Sequence, residues 1–356
     1  MKIALVTDTH WGIRNDSITF LEYFHKFYDN IFFPYLDENK ISTVIHLGDI
    51  VDRRKYINYV ILNSLKDRFI NKLRERDIDF HVIIGNHDVT YKNTNDINAI
   101  GELFGGRGDD YITWYENSTE VEFDGCKIFI QPWINNNTYE DSLVAMQKTD
   151  AQILFGHLEI AGHLLAPGMV SDHGMRPEMF KKFDMVLSGH FHHKNTKGNI
   201  TYLGCPYELM WSDYNQVRGF HIFDTDTREL TFIRNPYKMF QKVWYNDKGK
   251  SYEDVVDIDY GAYAQTSLKV IVQEKTNPYW FDVYMDRLYK MDPVHVQIVD
   301  DHKHLDKVAE EDIIDEAEDT QTILNKYVDG IETPVNKKKL NVLLQNLYKE
   351  ALQMEV

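Results

Sequence analysis

Five short apolar runs in this chain each end in a side chain that can bind a metal ion or move a proton. The endings are Asp8-Thr9-His10, Gly48-Asp49, Gly85-Asn86-His87-Asp88, Gly156-His157 and Gly189-His190-Phe191-His192. Taken singly, most have a bland explanation. A strand followed by Gly-Asp is commonly a turn with an aspartate cap, and a lone histidine such as His10 or His157 is more often a hydrogen-bonded structural residue. Asn86-His87-Asp88 has few purely structural uses. Five such endings in one chain point to one assembled site.

The chemistry follows from the donor types. Asp8, His10, Asp49, Asn86, His157, His190 and His192 mix carboxylate, amide and imidazole, a set suited to manganese, iron or zinc. Seven donors exceed the needs of one ion and fit two if one carboxylate bridges. Asp49, central in the set, is the expected bridge. Two ions about 3.5–4 Å apart can clamp a phosphate and stabilise an in-line displacement. His87 is expected beside the phosphate without ligating, as the acid for the leaving oxygen, with Asp88 orienting it. His46, His163 and His193 are read as structural or supporting residues.

Bringing these residues together calls for parallel strands, because open α/β sheets build sites at the carboxyl ends of their strands. Lys2 to Thr7, Thr43 to Leu47 and Phe80 to Ile84 read as buried strands. Between them, Asp16 or Ser17 caps a helix carrying Phe20, Leu21, Phe24, Phe27 and Ile31, and a second helix spans about Tyr59 to Arg76. Arg53-Arg54-Lys55 forms a compact basic cluster after the second strand. Asp124-Gly125 is a two-residue hairpin signal between Glu120 to Phe123 and Cys126 to Gln131. Further strands are expected before Gly156 and Gly189, at Ile200 to Leu203, Gly219 to Asp224 and Leu230 to Ile233. The pattern implies two packed sheets flanked by helices.

Beyond about Lys242 the composition shifts. Ser267 to Gln273, a helix opened by Asn277-Pro278, and Val294 to Val299 make one small βαβ unit. Asp300 to Asp319 holds ten acidic residues against Lys303 and Lys307, a net charge of −8 from one segment of a chain whose total is −17. The total therefore does not exclude a nucleic-acid partner. Leu340, Leu344, Leu347, Ala351 and Met354 recur at four and three, one apolar seam of a helix that packs internally or docks on a partner. No apolar run approaches the ~20 residues of a membrane span, and Met1 leads straight into a strand without a signal-peptide cleavage site. Cys126 and Cys205, the only cysteines, are expected as free thiols of a reducing cytoplasm.

Asp-x-His, Gly-Asp-x-x-Asp, Gly-Asn-His-Asp, Gly-His and Gly-His-x-His, in that order from Asp8 to His192, resemble the calcineurin-like metallophosphoesterase superfamily. Asp8-Thr9-His10-Trp11-Gly12, Tyr202-Leu203-Gly204-Cys205-Pro206 and the run Arg218 to Thr227 are similar to the SbcD-type double-strand-break repair nucleases, particularly those of T-even bacteriophages. The resemblance implies a four-layered α/β/β/α sandwich over residues 1–240. It implies a small α/β capping domain over 241–300, and an acidic linker with a helical ATPase-binding tail over 301–356. It implies one metal on Asp8, His10, Asp49 and His192, and a second on Asp49, Asn86, His157 and His190, with His87 assisting the leaving group. Manganese, DNA, an SbcC-type coiled-coil ATPase, a homodimer and a cytoplasmic setting come with it, as does exonuclease activity with endonuclease capacity in repair and recombination. The protein Ser/Thr phosphatases share Gly48 to Arg53, but have glycine at the position of Arg54 and Glu at that of Asp88, and lack Trp11 between His10 and Gly12. A phosphatase or small phosphodiesterase is the alternative enzyme, and a non-catalytic scaffold the third class.

Overall fold

The structure, a computed structural model, describes residues 1–105 and 111–299, and beyond them only Val328, Lys337, Lys339, Leu340 and Leu343. The acidic segment and nearly all of the apolar seam thus lie outside the described residues.

Seventeen strands are present among the described residues. In chain order they are β1 Lys2–Val6, β2 Thr43–His46, β3 Asp79–Ile83, β4 Ile112–Tyr115, β5 Thr119–Phe123, β6 Cys126–Gln131, β7 Ile153–His157, β8 Leu164–Ala166, β9 Met169–Val170, β10 Met185–Gly189, β11 Asn195–Lys197, β12 Ile200–Tyr202, β13 Arg218–Asp224, β14 Leu230–Asn235, β15 Phe240–Asn246, β16 Ser267–Glu274 and β17 His295–Val299. One six-stranded sheet runs β14-β13-β1-β2-β3-β4 and a second runs β11-β12-β10-β7-β6-β5. Within them β1 to β4 pair parallel, as do β6, β7, β10 and β12. That common direction sends the ends of β1, β2, β3, β7 and β10 to one side.

Alternation along each strand builds the layers, because successive side chains leave a strand on opposite faces. Ile3 and Leu5 of β1, Ile45 of β2 and Ile83 of β3 meet Ile128, Ile130, Phe155 and Leu187 in the seam between the sheets. Their neighbours Ala4, Val6, Val44 and Val82 point outward onto Phe20, Phe24, Phe27, Phe32, Leu65 and Phe69 of the flanking helices. Phe129, Leu154 and Val186 do the same on the other side, against Met146 and Phe180. The result is the expected four-layered α/β/β/α sandwich. Each fully buried aromatic or aliphatic side chain contributes roughly 1.5–3 kcal/mol.

The helix cap resolves to Ser17, whose side chain accepts from the Phe20 N–H, and the helix Ile18–Phe27 continues through a π turn into Phe33–Asn39. Asp124 and Gly125 both take positive φ, 50° and 78°, the geometry a two-residue hairpin requires. The third sheet is larger than the βαβ reading. β15 adds a parallel strand beside β16 and β17, and the helix Pro278–Tyr289 is capped by Asn277. β15 escapes a sequence reading because Gln241 and Lys242 dilute its apolar pattern. β4 escapes it because it is short and its only neighbour is β3.

Candidate metal centre

Each of the five strand ends places its side chain in one buried space. Asp8 follows β1, and its backbone N–H donates to Gly48 O at 3.0 Å, while His10 N–H donates to Asp49 O at 3.1 Å. These bonds continue the β1–β2 pairing past the strands and lock Asp8, His10 and Asp49 side by side. Asp8, His10, Asp49 and His190 have φ of 52°, 43°, 57° and 89°, a region costing of order 1–3 kcal/mol for residues other than glycine. Strain at four of the predicted positions marks the place where conformation serves chemistry. Gly48 and Gly85 let the strand ends close up. A Cβ on Gly48 would stand 2.4 Å from His157 Nδ1, and one on Gly85 would stand 2.2 Å from Asp49 Oδ1.

The seven predicted donors converge in overlapping groups. Donor atoms of Asp8, His10 and His192 lie within 4.8 Å of one another, as do those of Asp49, His157 and His190, and those of His10, Asp49 and His87. Asp49 Oδ2 stands 3.2 Å from His157 Nε2 and 3.9 Å from His10 Nε2. His10 Nε2 and His192 Nε2 face each other at 3.1 Å. Asn86 Oδ1 lies 2.9 Å from His157 Nε2 and 2.8 Å from His190 Nδ1. The His190 backbone N–H donates to Asp8 Oδ1 at 3.1 Å, tying β10 to β1.

The electrostatics match a set of donors built for cations. Burial would push the Asp49 carboxyl up, but His157, His87 and His10 around it hold it well below the carboxylate range. Burial raises the Asp8 carboxyl, with His157 opposing and Asp49 adding to the rise. Burial would lower His10, yet its Asp52 contact and the charges of Asp49, Asp52 and Asp8 raise it to about 10. His157 rises to about 9 against its burial, chiefly through Asp49. Burial and the positive His157 drop His190 to about 3, and burial with His10 drops His192 well below the usual imidazole range. His157 Nδ1 lies 2.7 Å from Leu47 O, so its proton belongs there and Nε2 is the nitrogen turned to Asp49. A backbone-anchored imidazole with its other nitrogen aimed at buried carboxylates is how metal-binding histidines are oriented. The residues present therefore fit divalent cations held by mixed N and O donors.

Two partners differ from the sequence reading. Asp88, expected to orient His87, has both carboxylate oxygens engaged elsewhere. Oδ2 accepts the N–H of Asp49 at 2.8 Å and of Gly85 at 2.9 Å, and Oδ1 accepts those of Ile50 and Val51 at 2.9 and 3.2 Å. Asp88 is thus a clamp on the β2 and β3 ends. The ring of His87 is oriented instead by the Asp52 carbonyl, 2.6 Å from its Nδ1, and its backbone N–H donates to Asp49 Oδ1 at 2.8 Å. The reason is reach, since four inward-pointing backbone N–H groups meet the Asp88 carboxylate before any side chain does.

A family comparison matches residues 1–194 to the calcineurin-like phosphoesterases. The chain belongs to that family. Across nearly its whole length, 99% of this chain and 100% of the other, the phosphoesterase is 32% identical to "Exonuclease subunit 1" of Enterobacteria phage T4. It is 24% identical to a subunit of the nuclease SbcCD from Staphylococcus epidermidis, over 79% of this chain and 78% of that one. Among the described residues, no helix of the phosphoesterase is long and apolar enough to cross a membrane.

Over the donors lies a cavity of about 240 Å³. Asn86, His87, His190 and His192 line it, together with Leu165 and Met169 of the β8–β9 hairpin. Several contributors were not among the predicted site residues. Thr7 Oγ1 donates to Asp8 Oδ2 at 2.7 Å, Asp52 Oδ1 stands 3.4 Å from His10 Nδ1, and the Trp133 ring lies 5.1 Å from that of His190. His46 Nε2 is 2.9 Å from Thr9 Oγ1, a supporting position. Of these only Asp52, inside the run Gly48 to Arg53, belonged to a legible motif.

Proposed function

We propose that this phosphoesterase is a two-metal-dependent DNA nuclease, with exonuclease and endonuclease capacity, acting in double-strand-break repair and recombination. The observation that carries the reading is the sharing of Asp49 between two donor groups, one completed by His157 and His190 and the other by His10 and His87. In this reading Asp8, His10, Asp49 and His192 would hold one ion and Asp49, Asn86, His157 and His190 the other, with manganese, one of the ions such a mixed set suits, as the occupant. Two divalent ions there supply Lewis acidity and charge neutralisation for an in-line attack on a phosphodiester.

The chain's own residues do the rest. Asp49 Oδ2 faces both donor groups, 3.2 Å from His157 Nε2 and 3.9 Å from His10 Nε2, while its Oδ1 is fixed by the His87 N–H. With Nδ1 of His87 held at the Asp52 carbonyl, Nε2 is the nitrogen left to deliver a proton to the leaving 3′ or 5′ oxygen. Asp8, buried and bonded by Thr7 and the His190 N–H, keeps its carboxylate aimed at the His10 and His192 side. The likeness to a phage exonuclease and to a component of SbcCD supports DNA as the substrate and an SbcC-type coiled-coil ATPase as partner. Residues 1–240 would be the nuclease domain, 241–300 the cap and 301–356 the ATPase-binding tail, working as a homodimer in the host cytoplasm.

The test is direct. With manganese added, the protein should degrade linear duplex DNA and leave a phosphoserine peptide intact. Efficient dephosphorylation of the peptide with no digestion of DNA would replace this reading by the phosphatase one.

A further inference from the structure

The runs around Cys205 and Arg218 hold none of the proposed metal donors, yet they converge on the back of one. Arg218 opens β13 and is 3% exposed, and its partner Asp213 is fully buried. The Arg218 guanidinium pairs with Asp213 Oδ1 at 2.5 Å. Its Nη1 donates both to the main-chain carbonyl of His192 and to Cys205 Sγ, the latter at 3.0 Å. The Cys205 backbone N–H donates to the same His192 carbonyl at 3.2 Å. Asp213 is held in turn, its Oδ2 accepting the N–H groups of Leu209 and Met210 at 2.7 and 3.1 Å. His193 Nε2 lies 3.5 Å from Asp213 Oδ1. The charged groups facing Arg218 are thus Asp213 and, at longer range, Glu208.

A buried ion pair is a poor way to gain stability, because desolvating both charges offsets most of their attraction and apolar replacements of similar volume do as well or better. Its presence here calls for another reason. The carbonyl it grips belongs to His192, whose Nε2 faces His10 Nε2 at 3.1 Å across the site. His192 sits in the loop after β10 with no strand pairing of its own, whereas His190 is tied to Asp8 through its N–H.

We propose that the buried Arg218–Asp213 pair is a positioning device for His192, setting the affinity of the metal site built from Asp8, His10 and His192 while leaving the Asn86, His157 and His190 side unaffected. The proposal rests on the two-metal reading above. Groups that orient a ligand from behind typically matter by about 10–100-fold in metal affinity, and that is the effect expected here.

The test uses the full chain, Mn²⁺ titration by calorimetry, and the Mn²⁺ dependence of DNA digestion. Wild type should bind two ions, and a single binding event would defeat the two-metal reading itself. The double variant Arg218→Met with Asp213→Asn removes both charges but keeps an acceptor for the Leu209 and Met210 N–H groups. It should fold, lose about 10–100-fold in affinity for one ion, keep the affinity for the other, and recover turnover at high Mn²⁺. Arg218→Lys, which keeps the charge and one donor, should fall between the two. Two unchanged affinities in the double variant would overturn the proposal. Equal weakening of both ions, or loss of the fold in both variants, would also overturn it by assigning the pair to the framework rather than to His192.

Discussion

Gly85→Ala is the sharpest single-atom-scale test of how the site is assembled. The added methyl carbon would lie 2.2 Å from Asp49 Oδ1 and 2.4 Å from the Asp49 backbone nitrogen, where ordinary contact begins at 3.4 Å. Neither side can yield cheaply. Gly85 N and Asp49 N both donate to the same oxygen, Asp88 Oδ2, at 2.9 and 2.8 Å. The β2 and β3 ends must separate by about 1 Å, straining or breaking that shared clamp. Overpacking costs about 1–3 kcal/mol and a hydrogen bond to a charged group a further 1.5–3, so a loss of roughly 2.5–6 kcal/mol is expected in urea denaturation. Because a displacement of about 1 Å at a reacting centre can cost about 10²-fold in rate, manganese-dependent phosphodiester hydrolysis should drop by that order. Gly125→Ala is the control. Unlike Gly85 it has a positive φ, 78°, but its methyl would meet nothing within 4 Å. It should cost about 1 kcal/mol of backbone strain and leave turnover unchanged. A Gly85→Ala protein with wild-type turnover and metal content would refute the close-approach account of the site.

Asp49→Asn removes the charge shared by both donor groups, so metal content and turnover should fall together, read by elemental analysis and DNA digestion. His87→Ala should keep metal and DNA binding while turnover falls by roughly 10²–10⁴-fold; loss of metal instead would make His87 a ligand. Glu208 is buried and accepts the N–H groups of Met239 and Phe240 at 2.7 and 2.8 Å. Burial nonetheless raises its carboxyl from 4.5 to about 7. A raised carboxyl binds its proton more tightly in the folded chain, so this stabilisation is complete below about pH 4.5 and lost as pH rises through 7, about 3 kcal/mol in all. Glu208→Gln keeps the acceptor without the titration, so between pH 5 and 8 its denaturation midpoints should flatten relative to wild type, and parallel curves would contradict the shift. Deleting the residues after Pro334 should abolish co-purification with the proposed coiled-coil ATPase while the remaining chain stays folded and binds metal. An intact complex would place the ATPase elsewhere.

What the sequence by itself determined was the set of candidate donors and the architecture that gathers them. The continuous apolar runs of β1, β2 and β3 and the helical spacing of Phe20, Phe24 and Phe27 are local signals, and each apolar run ends at its own Asp, Asn or His. Such information survives in one dimension because strand period, turn chemistry and donor type are properties of neighbouring residues. Everything that joins distant segments was settled only by the tertiary structure. Asp88 lies next to His87 in the chain, yet the fold gives its carboxylate to the β2 end and gives His87 to the Asp52 carbonyl. Thr7, Trp133 and Arg218 carry no chemistry of their own in the sequence. They acquire their places because parallel strands and the β13 return set them against Asp8, His190 and the His192 carbonyl. Hydrogen bonds to a buried group are claimed by whichever donor geometry brings closest, and sequence adjacency does not decide that contest.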